Sequence, residues 1–123
     1  MEEQIGHTLD IDWLGDKVLV LIGKQLAELF EADPSIESIL NKDPCLDPCL
    51  NGLVVNADRD GKTYWFVVIK ERSRLVIQHE SIHLAQFLLD KRNIPTDVDN
   101  TEVLAYLVGF IYEKICTFAK VKP

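Results

Sequence analysis

Five consecutive residues, His79-Glu80-Ser81-Ile82-His83, carry three side chains that can do chemistry together. In a helix, positions four apart lie about one turn apart on the same face, roughly 6 Å along the axis. Two neutral imidazoles so placed can share one zinc ion, and the glutamate after the first histidine can reach a water on that ion. The spacing therefore predicts metal-assisted hydrolysis. Zinc would lower the pKa of a bound water, and Glu80 would take its proton as general base and pass it to the leaving group. A zinc ion that only braces a fold has no use for that glutamate.

The motif sits in a run from Ser73 to Asn93 that reads as one helix. Ser73 suits an N-cap, and Asn93 and Pro95 stop the helix. Leu75, Val76, Ile77, Ile82, Leu84, Ala85, Phe87 and Leu88 make it apolar on most sides. That predicts a helix packed inside the domain, where polar groups are costly unless partnered. A catalytic zinc also needs a third protein ligand. A second long helix is expected from near Asp99 to about Ala119, and Glu102 in its first turn is the candidate. Asp99-Asn100-Thr101-Glu102 equally fits a capping box with Asp99 as N-cap, so capping alone accounts for Glu102, and Asp97 and Asp99 compete with it. His7 reads as a surface residue.

Upstream, Thr8 to Asp12 alternates weakly, Trp13 to Asp16 reads as a turn and Val18 to Ile22 as a strand. Lys24 to Ala32 reads as a short amphipathic helix, and Asp33-Pro34 can start another. Residues 41–52 (NKDPCLDPCLNG) read as a connecting loop. Leu53 to Ala57, a turn at Asp58-Arg59-Asp60-Gly61, and Thr63 to Ile69 make a hairpin. The run from Asn56 to Gly61 resembles the start of a calcium loop, but Val67 stands where the closing glutamate is required. Strands followed by helices predict an α+β fold: a small antiparallel or mixed sheet followed by two long packed helices, in one domain spanning residues 1–123.

The 123 residues are 47% hydrophobic and 27% charged, as in a folded soluble protein. The net charge of −7 argues against nucleic acid and against an anionic membrane surface as partners. The N-terminal residues do not read as a signal peptide, and the longest apolar run, Val103 to Tyr112, suits a buried helix better than a membrane span. Cys45 and Cys49 lack the second close pair that a closed zinc site needs. With Cys116 they read as free thiols in a reducing compartment, which predicts a cytoplasmic protein.

The histidine motif and a downstream segment, Asn100, Glu102, Ala105, Tyr106, Leu107, Val108 and Gly109, together resemble the gluzincin metallopeptidases. The likeness is to their minimal members, and to short proteins with this motif encoded by phages and prophages; it covers roughly residues 63–115. It implies a zinc-dependent peptidase acting on a peptide or protein, with His79, His83 and Glu102 as metal ligands and Glu80 as base. It also implies a strand before the metal helix that pairs with extended substrate, for which Thr63 to Ile69 matches by order. The chain departs from the larger gluzincins at Tyr106, where they often carry an aspartate that orients a zinc histidine, and in having no histidine after His83. The alternative expectation is a zinc-binding structural or interaction protein without turnover.

Overall fold

A computed structural model describes residues 5–39 and 51–123. Cys45, Cys49 and all but the last two residues of the expected loop at 41–52 lie outside them. Four strands form one mixed sheet in the order β1-β2-β4-β3: β1 (His7–Ile11), β2 (Asp16–Ile22), β3 (Gly52–Arg59) and β4 (Lys62–Ile69). β1 pairs antiparallel with β2, β2 parallel with β4, and β4 antiparallel with β3. The helices are α1 (Gln25–Ala32), α2 (Pro34–Ile39), α3 (Arg74–Lys91) and α4 (Thr101–Ala119), the last preceded by a 3-10 turn at Val98–Asn100. The fold is α+β, as the order of elements predicts.

Alternation along the strands builds two cores. Trp65, Val67 and Ile69 of β4 face one side of the sheet with Val18, Val20 and Ile22 of β2, and pack against Ile77, Leu84, Leu88, Leu107, Ile111 and Ile115. Phe66 and Val68 face the other side with Leu21, and meet Leu26 and Phe30 of α1. Each such side chain, fully buried, contributes roughly 1.5–3 kcal/mol by leaving water. The two-residue turn between β3 and β4 is closed by Asp60 and Gly61, with φ of 55° and 77°. Positive φ at both positions matches the right-handed twist of the strands, which is why Asp-Gly makes a hairpin here.

The long helices are held at their ends. Ser73 Oγ accepts a hydrogen bond from the Leu75 N–H at 3.2 Å and caps α3. At its other end Asn93 adopts φ 56°, and the Ile94 N–H reaches back to the Leu89 carbonyl at 3.0 Å. Arg92 then pins this end to the β1–β2 turn, donating to the Leu14 carbonyl at 2.5 Å and pairing with Asp16 at 2.6 Å. His7 is not a free surface residue: its ring stacks on Phe118 near the end of α4, with centroids 4.8 Å apart.

Three expectations change. Thr63 to Ile69 lies within β4, which pairs with β3 along its length and with β2 from Trp65 on, so among the described residues the edge strand beside α3 is β3. The cap before α4 is Asp97, whose carboxylate accepts the Asp99 N–H at 3.1 Å; Asp99 itself lies within the 3-10 turn. And α3 is packed on one side only, leaving Leu75, Ile82 and Phe87 at 76%, 37% and 39% exposure. Among the described residues no helix is long and apolar enough to cross a membrane.

Candidate metal centre

The i, i+4 spacing on α3 brings the Nε2 atoms of His79 and His83 to 3.0 Å. Two imidazoles on one tetrahedral zinc, with Zn–N of about 2.0–2.1 Å, place their nitrogens about 3.3 Å apart. The pair would need to open by only a few tenths of an ångström. The rings meet edge-on at 77°, with centroids 4.6 Å apart. His79 is exposed and His83 half-buried.

Glu80 completes a close group: its carboxylate and the two imidazoles offer ligand atoms all within 4.8 Å of one another. The residue is only 6% exposed. Burial pushes its pKa above the ordinary carboxylate value, and neighbouring His79 partly opposes the shift. The wall against Glu80 is backbone. A methyl group at Gly52, the first residue of β3, would lie 2.7 Å from Glu80 Cγ and 2.9 Å from Val76 Cγ1. Only glycine lets the strand come this close to the helix. Gly52→Ala is therefore expected to push Glu80 out of place. It should cost about 1–3 kcal/mol of stability, read from chemical denaturation, and leave zinc content unchanged.

The stripe that carries the histidines continues to Phe87 and Lys91 at the same four-residue step. The His83 ring stacks on Phe87 at 6.0 Å, and Phe87 stacks on Trp65 of β4 at 6.3 Å. This row of rings fixes the side-chain direction of His83. Sequence reasoning placed Phe87 only among the apolar residues of the helix, and gave Trp65 and Gly52 no role. The period alone showed that Phe87 shares the face of His83, while the other two contacts are long-range.

Glu102 lies where the sequence places it, in the first turn of α4, but the structure does not bring it to the histidines. It is exposed and outside the close group. α4 lies along α3 above β1 and β2, whereas the histidine stripe leads over Trp65 toward β3. Tyr106, one turn beyond Glu102, turns its ring to Trp13 in the β1–β2 turn at 6.0 Å. Asp97 is occupied with the cap before α4. Tyr112 shares a side-chain hydrogen bond with Cys116, and Cys116 is a buried thiol whose pKa burial pushes up, the pattern of an inert structural cysteine.

Compared with known proteins, the chain matches no protein-family model, no curated protein and no solved structure. The functional reading thus rests on the geometry and on the residues of the motif.

Proposed function

We propose that this protein is a zinc-dependent hydrolase of peptide bonds, with His79 and His83 holding the ion and Glu80 acting as general base. The observation that carries the reading is the convergence of two imidazole nitrogens at 3.0 Å beside a buried carboxylate. Bound zinc would supply a Lewis acid and a water of lowered pKa. Glu80 would accept a proton at its carboxylate and pass it to the leaving amine; it is buried close to Gly52 and within 4.8 Å of the histidine nitrogens. Glu102 is the third ligand that the gluzincin resemblance implies; it stands exposed in the first turn of α4 and outside the close group, so its part in holding the ion is what the zinc-affinity test below decides. The three cysteines suit a reducing compartment, and we place the reaction in the cytoplasm.

The exposed position of Glu102 favours a second reading. Glu80 could itself ligate the ion, and a carboxylate bound to metal is no longer free to act as base. The site would then hold zinc without turnover. Zinc affinity of two variants separates the readings. If the hydrolase reading holds, Glu102→Gln weakens zinc binding by tenfold or more and Glu80→Gln leaves it unchanged; in the inert site the two effects exchange places. Zinc content near zero in the purified wild type, even after loading, would end both.

A further inference from the structure

Beyond Phe87, on the side away from His83, a groove of about 420 Å³ opens between the C-terminal half of α3 and the β3–β4 hairpin. That volume falls within the range of ligand pockets, about 300–1,000 Å³. Its floor is apolar, from Val54, Trp65 and Phe87; its rim carries the carboxylates of Asp58 and Asp90. Asp58 is braced by the Thr63 hydroxyl at 2.7 Å. Lys91, the one cation of the lining among the described residues, holds its Nζ over the Trp65 ring at 5.9 Å from the centroid. The protein's own lysine thus shows how a cation sits on that ring.

We infer that this groove is a specificity subsite that takes a lysine or arginine side chain of the peptide substrate, its stem on Trp65 and Phe87 and its charge between Asp58 and Asp90. The inference rests on the peptidase reading for its place in a reaction, and on the groove alone for its chemistry. An aliphatic stem ending in a cation matches an apolar floor with an acidic rim, whereas an acidic side chain meets two like charges and a wholly apolar one gains only the floor. Phe87 is the wall shared with His83. At roughly 3.3 Å per extended residue, a side chain in the groove belongs to a residue about one or two positions from the bond that is cut. Lys91 competes for the same ring face.

The test is binding of blocked pentapeptides that differ only at a central Lys, Leu or Glu, followed by Trp65 fluorescence in a Trp13→Phe background that also carries Glu80→Gln, with and without a metal chelator. The lysine peptide should bind most tightly. Asp90→Asn should weaken it about fivefold, and Lys91→Ala should tighten it by a similar factor, both without changing zinc content. Both positions are exposed, so these variants fold. Equal binding of the three peptides, a preference for Glu, or no response to Asp90→Asn and Lys91→Ala overturns the subsite. A lysine preference that persists in the chelated protein supports it even if hydrolysis is never found, while zinc-dependent hydrolysis without that preference leaves the peptidase reading standing and removes this one.

Discussion

Glu80→Gln is expected to leave zinc bound and to slow peptide hydrolysis by about 10²–10⁴-fold, the usual contribution of a positioned general base. Glutamine is nearly isosteric, so the close packing on Gly52 survives and the helix keeps its place against β3. What disappears is the basic oxygen, worth about 3–5 kcal/mol of barrier. Zinc content by mass spectrometry and kcat/KM on a peptide mixture make the measurement; equal activity of the two proteins rules the mechanism out. The same burial makes stability depend on pH. Glu80 must be ionised to accept a proton, and desolvation raises its pKa. That shift belongs to the metal-free site, since a bound dication beside Glu80 would favour its ionised form. A carboxyl whose pKa is higher folded than unfolded favours folding below its unfolded value and loses that contribution as pH rises through the folded one. In zinc-free protein near neutrality, Glu80→Gln should thus melt slightly higher than the wild type.

Local signals reported local structure well, and long-range pairing stayed hidden. Ser73, Asn93 and the Asp60-Gly61 pair act within a few residues of themselves, and each ends or starts an element where the sequence places it. The i, i+4 histidines are of the same kind, since one helix fixes their separation. β4 shows the limit. Thr63 to Ile69 reads as a strand, but whether it has a free edge depends on Asp16 to Ile22 pairing beside it in parallel from far earlier in the chain. No short-range pattern carries that. α3 shows another limit. Its apolar residues point in nearly every direction, so the period could not say which side is packed, and Leu75, Ile82 and Phe87 are left facing solvent around the histidines. Glu102 combines both problems: its position in the first turn of α4 was legible, but the direction that turn faces depends on how two helices cross. The closeness of Gly52 to Glu80 is likewise a contact between distant segments, and glycine at the start of a strand gives no hint of it.

Chelation of zinc is expected to lower the melting temperature of the wild type by about 15 °C, and to leave His79→Ala where it was. Metal at a thousand times its dissociation constant stabilises the folded state by about 4 kcal/mol. A domain of this size shifts by roughly 4 °C per kcal/mol. The two histidines should differ in a way that geometry dictates. His79 is exposed, so its truncation removes little packing and acts on stability through the ion. His83 is half-buried and stacks on Phe87, which in turn stacks on Trp65, so His83→Ala loses the ion and also loosens that row of rings. Chelated His79→Ala should melt with the chelated wild type, whereas chelated His83→Ala should melt below both. Coincident melting of wild type with and without chelator would mean that the two Nε2 atoms converge for a reason other than metal. Their 3.0 Å approach would then be an imidazole–imidazole hydrogen bond in its own right, with one ring donating and the other accepting, and Glu80 a buried carboxylate with no ion to serve.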